Sequence, residues 1–285
     1  MNIAITSEST IDIPQELLDK YNIKTVPFTI CFGDKTKLDG TFNQDELFEY
    51  YAKTKTLPKT SAVNEFQFKE LFESLAPSYD AVLHLASSSG VSCACENAIA
   101  ASKYFDNVYV IDTQTLCTGI ALLAIYAREL ADKGLDIKEI VNLVEARKHT
   151  VQLSFILENL YYLYKGGRCS ILQMLGANLL KIKPQIIMKD GKATSNHKYR
   201  GTMVKCFENY ISDVFKDHPN PDLSYAFVSY TKYNEELINI AKKRLKERGF
   251  KTIYTARANS TICTHCGDTA VGILYLDQQK NKTLN

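Results

Sequence analysis

The chain has 285 residues, 45% of them hydrophobic and 23% charged, and carries a formal net charge of +2 at pH 7. This balance lacks the basic excess typical of nucleic-acid binding, and no apolar run approaches the ~18 residues of a membrane span, so we expect a soluble, cytoplasmic protein. At this length the chain can bury one large core or, as we expect, two smaller ones.

Strands and helices alternate along roughly the first 150 residues. Strands are predicted at 2–6, 25–32, 81–86 and 107–112, and helical patterns begin at Pro14 and near residues 43, 65, 94 and 119. The alternation predicts a parallel sheet with helices on both faces. In such sheets ligands bind beyond the carboxyl ends of the strands.

A serine-rich segment lies at one of these strand ends. The apolar run 81–86 stops at Ser87-Ser88-Ser89-Gly90-Val91-Ser92, and a helical pattern follows. Hydroxyl groups beside the free N–H groups of a helix start form a site suited to an anion. We expect Ser9, Thr60 and Thr113 to lie in segments that meet Ser92 at the same edge.

The pattern changes after residue 148. A strand and a short helix end at Gly166-Gly167, an apolar helix is predicted over 171–180, and Asp190-Gly191 marks the turn of a hairpin. Further α/β alternation ends in a strand near 271–276, preceded by a turn at 260–267. We therefore expect an N-terminal parallel-sheet α/β domain (1–150) and a C-terminal α/β domain with a mixed or antiparallel sheet (151–285), with the ligand between the two.

Six short motifs, in this order, resemble those of the DegV family of bacterial fatty-acid-binding proteins. They are SESTIDIP (7–14), LPKTSAV (57–63), SSSGVSCACENA (87–98), LYYLYKGGR (160–168), LLKIKPQIIMKDGK (179–192) and STICTHCGDTAVG (260–272). The resemblance implies a DegV-like, two-domain lipid carrier that needs no cofactor and has no catalytic activity. Such a carrier holds one long-chain fatty acid and presents its carboxylate to a separate fatty acid kinase, which forms an acyl-phosphate for phospholipid synthesis.

The resemblance also implies the residues of the site. Thr60, Ser92 and His265 match positions that hold the carboxylate, and Ser61 and Cys93 adjoin two of them. Arg168 and Arg200 match basic positions near the opening, where Lys198 is a further residue expected to meet the kinase. The apolar segments 122–127, 171–180 and 185–188 are expected to line the hydrocarbon tail, although each also suits an ordinary core, and Ser92 and Thr60 also suit helix capping.

The departures from the family pattern are mostly cysteines. Of the eight cysteines, all expected to be reduced thiols, five fall in segments predicted to converge: Cys93, Cys95, Cys117, Cys263 and Cys266. Two alternatives therefore stay open. One is a metal site built from Cys93, Cys95, Cys263, His265 and Cys266; the other is an acyl hydrolase that uses Ser92, or a cysteine, with His265 and Asp112.

Overall fold

The structure is a computed structural model that describes residues 1–158, 160–168 and 182–279. The strands are β1 (Ile3–Glu8), β2 (Ile23–Val26), β3 (Thr29–Phe32), β4 (Lys35–Leu38), β5 (Lys59–Ser61), β6 (Ala81–Ala86), β7 (Val108–Asp112), β8 (Val151–Ile156), β9 (Lys183–Lys189), β10 (Lys192–Tyr199), β11 (Pro221–Tyr230), β12 (Thr252–Arg257) and β13 (Val271–Asp277). The α-helices are α1 (Gln15–Lys20), α2 (Asp45–Thr54), α3 (Glu65–Leu75), α4 (Ala94–Ser102), α5 (Thr118–Asp132), α6 (Ile137–Arg147), α7 (Tyr161–Gly166), α8 (Met203–Asp217), α9 (Glu235–Arg248) and α10 (Ser260–Cys266).

The first sheet is parallel, with the strand order β2-β1-β6-β7. Its two central strands are buried along their whole length, as expected for strands covered on both faces. The carboxyl ends of β1, β6 and β7 therefore lie side by side. The predicted α/β class and parallel sheet are confirmed.

The second sheet is mixed, with the order β10-β9-β8-β13-β11-β12, and only β11 and β12 pair in parallel. Its predicted hairpin is formed by β9 and β10. Asp190 and Gly191 both have positive φ, at 50° and 74°, which is the conformation that a two-residue hairpin turn requires.

The single strand predicted over 25–32 is wrong. The segment forms two strands, β2 in the parallel sheet and β3 in a small antiparallel sheet of order β4-β3-β5. Pro27 lies between them and has no N–H to donate to a ladder, so the chain leaves the first sheet there. Its strand β5 carries Thr60, one of the predicted site residues.

The turn predicted at 260–267 is instead the helix α10. Its first backbone amides are satisfied by buried carboxylates: Asp12 Oδ1 accepts from Asn259 N at 2.9 Å, and Asp39 Oδ1 accepts from Ser260 N at 2.7 Å. Both carboxylates come from the N-terminal part of the chain. They fix the position of a helix that carries His265.

The two parts of the chain share a hydrophobic core. Ile5, Leu83 and Ile120 belong to the same buried cluster as Leu153 and Leu274, which lie on the mixed sheet. Across the same boundary, the hydroxyls of Thr118 and Ser229 are 2.6 Å apart.

The helix predicted over 171–180 lies outside the described residues. Within the described ranges, every helix is too short or too polar to span a membrane.

Candidate ligand-binding site

A cavity of about 310 Å³ lies where the carboxyl edge of the parallel sheet meets the mixed sheet and α10. Such a volume is in the range of small-molecule sites. Most of the wall is apolar and is formed by Phe28, Ala62, Val91, Leu116, Leu153, Phe155, Leu163, Met188, Ala193 and Ile262. The polar wall residues are Thr10, Thr60, Ser61, Ser87, Ser92, Arg168, Thr261 and His265, with Cys93, Cys117 and Cys266 completing it.

Thr60 and His265 form one polar unit at this wall. Thr60 Oγ1 and His265 Nε2 are 2.9 Å apart, although the two residues are 205 positions apart in the chain. His265 Nδ1 is buried and has no hydrogen-bond partner among the described residues. Buried N–H groups without a hydrogen-bond partner are rarer than buried acceptors without one. We therefore place the ring proton on Nε2 and leave Nδ1 as the unpaired acceptor. His265 then donates to Thr60 Oγ1, and the Thr60 hydroxyl proton remains available to a ligand.

The imidazole is neutral around pH 7. Burial, with a smaller contribution from the Arg168 guanidinium, lowers the pKa of His265 from 6.5 to about 4. A glycine makes this burial possible: a Cβ at Gly166 would lie 2.6 Å from His265 Nδ1. The Gly-Gly end of α7 therefore serves to seat the histidine, besides ending the helix.

Ser92 lines the cavity and bonds to the first amide of a helix. Its Oγ accepts from Ala94 N, the first amide of α4, at 3.2 Å. Cys93 is the N-cap residue of α4, so the expectation that Ser92 caps this helix is wrong. Because the Ser92 oxygen is an acceptor in its bond with Ala94 N, the hydroxyl proton remains free to donate. Ser61 and Cys93 also line the cavity, so both expected neighbours of the site are present there.

The rest of the serine-rich turn holds Ser92 in place. Ser88 Oγ donates to Gly191 O at 2.6 Å, which ties this turn to the β9–β10 hairpin. Ser89 Oγ donates to Asp112 Oδ2, also at 2.6 Å. The buried Glu8 carboxylate accepts from Ser87 N at 2.9 Å. The turn is thus fixed by both sheets, and its two serines that line the cavity are Ser87 and Ser92.

The predicted basic residues do not all lie at the cavity. Arg168 lines it, and its guanidinium donates to Gly166 O at 2.7 Å. Arg168, Thr60 and His265 also line a surface groove of about 450 Å³, together with Lys59 and Lys165. Arg200, at the end of β10, is exposed and is not one of the wall residues; Lys198 is likewise exposed.

Of the three segments predicted to line the hydrocarbon tail, one contributes to the cavity wall. Met188, in the predicted segment 185–188, lines the cavity, whereas residues 122–127 of α5 lie in the core and contribute nothing to its wall. The segment 171–180 lies outside the described residues. Four wall residues were missed, namely Leu153 and Phe155 of β8, Thr10 and Ser87, because strand alternation alone does not show which face meets a ligand.

The alternative metal site is not formed. Among residues 1–158, 160–168 and 182–279, no group of three or more His, Cys, Asp or Glu side chains is arranged to hold a metal ion. His265 Nε2 is already bonded to Thr60, and Cys263 Sγ lies 3.3 Å from Ala258 O as a donor. Burial raises the pKa of Cys95 to about 12 and that of Cys263 well above 9.0, which keeps both thiols protonated.

The geometry does not support the alternative hydrolase either. A triad needs a histidine bonded to the nucleophile and oriented by a carboxylate. The His265 ring contacts Thr60 instead, and the Asp112 carboxylate accepts from Ser89 and from Gln114 N. Burial also raises the pKa of the Cys117 thiol well above 9.0, which disfavours the thiolate that a cysteine nucleophile needs.

Comparison with known proteins extends over nearly the whole chain. The profile of a family described as "Uncharacterised protein, DegV family" matches residues 2–278. Protein DegV of Bacillus subtilis is 30% identical over 279 residues, covering 96% of this chain and 99% of the relative. A fatty acid-binding protein of Thermotoga maritima is 31% identical over 226 residues, covering 77% of this chain and 78% of the relative.

Solved structures agree with the fold. The crystal structure of DegV from Bacillus subtilis, described as a fatty acid binding protein, is similar with a TM-score of 0.86 and 28% identity. The match covers 98% of this chain and 100% of that structure. The arrangement of one parallel and one mixed sheet is therefore shared with that protein.

Proposed function

The chain belongs to the DegV family, and from this premise we propose that it is a cytoplasmic carrier of one long-chain fatty acid. The observation that carries the proposal is the Thr60–His265 pair at the wall of an otherwise apolar cavity. The apolar wall suits the hydrocarbon tail of a fatty acid, and the Thr60–His265 pair suits its carboxylate. The proposal assigns the chain no catalytic step of its own.

The apolar wall supplies most of the binding free energy. Burying a methylene group contributes about 0.8 kcal/mol, so a tail of ~14 methylenes gains on the order of 11 kcal/mol before ordering costs. Phe28, Leu153 and Phe155 are among the side chains positioned to contact the tail. Such a wall selects for chain length and apolarity rather than for a particular polar group.

The polar residues must compensate the carboxylate for its lost water, because an ionised group without donors is costly to bury. The Thr60 and Ser92 hydroxyls supply donors, while the neutral His265 fixes the orientation of Thr60. Hydrogen bonds to the ionised form keep a carboxylate deprotonated. A deprotonated carboxylate is the form that can attack a phosphoryl group.

Removing one donor at a time tests this binding mode. We expect Thr60→Val and Ser92→Ala each to weaken binding of a fluorescent fatty acid by about tenfold to a hundredfold, the range for a hydrogen bond to a charged group. Thr36→Val is a matched control, because Thr36 lies exposed on β4 of the same small sheet. Unchanged affinity in both site variants would contradict the proposed head-group site.

We further propose that the loaded chain presents the carboxylate to a separate fatty acid kinase for conversion to an acyl-phosphate used in phospholipid synthesis. Thr60 and His265 line both the cavity and the surface groove, so the carboxylate would lie next to an opening. Lys59, Lys165 and Arg168 make the groove basic, which suits an approaching phosphate group.

Reconstitution with such a kinase and ATP tests this second step. We expect acyl-phosphate to form only when the fatty acid is bound to the chain. Lys165→Ala, in the groove but not in the cavity wall, and Arg200→Ala should slow its formation while fatty acid affinity changes little. Exposed Lys133, which follows the last residue of α5, offers a control substitution to Ala. Equally fast phosphorylation of free fatty acid would refute the presenting role.

A further inference from the structure

A second, smaller cavity lies beside the main one, over a different part of the mixed sheet. The main cavity is lined by Ala193 of β10, Met188 of β9 and Phe155 of β8. The smaller cavity, of about 40 Å³, is lined by Phe155 together with Leu274 of β13 and Ser229 of β11. Because the sheet order is β10-β9-β8-β13-β11, the two cavities lie on either side of β8. We call the smaller one the inner cavity.

Two side chains of β8 stand between these cavities. Leu153 and Phe155 line both of them, as alternate residues on one face of a strand. Leu153 is opposite Leu274 on β13, whereas Phe155 is opposite Gly272. A Cβ at Gly272 would lie 2.8 Å from the Phe155 Cβ, so this neighbour adds no side chain beside the ring. Phe155 is therefore the less confined of the two and has space on both sides.

The inner cavity is lined mainly by apolar groups. Ala258, Ala270 and Leu274 line it, and none of the three lines the main cavity. The Ser229 hydroxyl at this wall is 2.6 Å from the Thr118 hydroxyl, so it already has a partner. An apolar cavity offers water few hydrogen bonds, and its lining side chains lack contact partners on one side. A side chain that moves into it gains those contacts.

We propose that Phe155 adapts the main cavity to the shape of the acyl tail, because its ring moves into the inner cavity when a bent tail binds. The proposal rests on the proposed fatty acid binding and adds the residue that determines which tail shapes fit. A cis double bond bends a tail and widens the space that it needs. With the ring turned toward the inner cavity, the main cavity gains that width.

Filling the inner cavity from behind tests this movement without changing the wall of the main cavity. Ala258→Val and Ala270→Val each add bulk to the inner wall alone. We expect each variant to bind oleic acid, which has a cis double bond, about tenfold more weakly than the wild type, because overpacking opposes the ring. Affinity for stearic acid, a straight tail of the same length, should change by less than about threefold. Displacement of a fluorescent fatty acid measures both affinities.

Two further variants separate ring movement from general damage. Ala256→Val is the matched control, because Ala256 is a buried residue of β12 that lines neither cavity. Phe155→Leu removes the ring that has to move. In the Phe155→Leu background, Ala258→Val should therefore leave oleic acid affinity unchanged, which is a coupling that only neighbouring groups show.

Crystal structures of the wild type with each acid give a readout that needs no variant. The Phe155 ring should occupy the inner cavity with oleic acid and leave it free with stearic acid. The same ring position in both complexes would overturn the proposal.

The binding data overturn the proposal in three further cases. These are equal losses for both acids in the filled variants, an unchanged oleic acid affinity in a folded one, and a wild type that binds stearic acid but not oleic acid. A wild type that binds neither acid would instead contradict the proposed function, which is a different result.

Discussion

His265 is held neutral inside the protein, and this gives the stability of the ligand-free chain a defined pH dependence. Burial lowers the pKa of His265 from 6.5 to about 4. Between pH 4 and pH 6.5, the folded state therefore binds fewer protons than the unfolded state. The resulting stabilisation is fully present above pH 6.5 and is lost as the pH falls toward 4.

We expect ligand-free wild-type protein to lose about 2 kcal/mol more unfolding free energy between pH 7 and pH 4.5 than His265→Gln does. Urea unfolding at the two pH values measures the difference. His149→Gln, which changes an exposed histidine outside the cavity, should behave as the wild type. An equal loss in wild type and His265→Gln would show that the imidazole is not held neutral by the fold.

Gly166 offers a second test at the scale of one residue. A Cβ there would meet His265 Nδ1 at 2.6 Å, so Gly166→Ala must displace the ring from Thr60. We expect a loss of fatty acid affinity of about tenfold, measured by binding of a fluorescent fatty acid. Gly167→Ala is the matched control.

Gly167 has a φ of 68° but nothing lies within 4 Å of its Cβ position. Its replacement should therefore lower the unfolding free energy by about 1 kcal/mol through backbone strain and leave affinity nearly unchanged. Affinity that falls equally in both variants would assign the effect of Gly166→Ala to the helix end rather than to His265.

At the scale of elements, the position of α10 depends on two carboxylates from distant segments. Asp39 is 3% exposed and accepts from Ser9 Oγ as well as from Ser260 N. Burial raises the pKa of this carboxyl, while its hydrogen bonds lower it. The helix is too short to be stable alone, so these tertiary contacts hold it in place.

We expect Asp39→Ala to increase amide hydrogen exchange across α10 while the parallel sheet stays protected, because the substitution removes the acceptor for Ser260 N. Mass spectrometry of peptic peptides measures the exchange. Asp34→Ala, at the exposed turn between β3 and β4, is the control. Exchange in α10 that does not change would show that the helix is held by packing alone.

The limits of sequence-based prediction are clearest at this scale. The bounds of β6 could be predicted because an apolar run that stops at a polar turn is a local signal. By contrast, α10 contains β-branched residues and cysteines without an apolar period, and its first amides are satisfied from residues 12 and 39. Local sequence carries no sign of such distant partners.

The candidate site shows the same limit. Thr60, Ser92 and His265 were expected through the order of the family motifs, and the structure brings all three to one cavity. The direction of a hydroxyl is set by tertiary contacts, so Ser87 and Thr10 could not be distinguished from Ser88, which bonds to Gly191. Arg200 was expected near the opening from the resemblance, but it follows the end of β10 and is not one of the cavity wall residues.

At the scale of the whole molecule, the proposed domains 1–150 and 151–285 share one core. Leu153, Phe227 and Leu274 pack in the same cluster as Ile3 and Leu83. Separating the halves would expose this shared surface. We therefore expect a single cooperative transition in calorimetry, with equal van't Hoff and calorimetric enthalpies. Two separated transitions would show that the domains are stabilised independently.

The central claim is that this chain holds one long-chain fatty acid with its carboxylate at Thr60, Ser92 and His265. Native mass spectrometry of the freshly purified protein, followed by solvent extraction, tests it most directly. We expect one fatty acid for each chain in the wild type and much less in the double variant Thr60→Val/Ser92→Ala. Protein that carries no fatty acid, and takes up none when it is offered, would contradict the account.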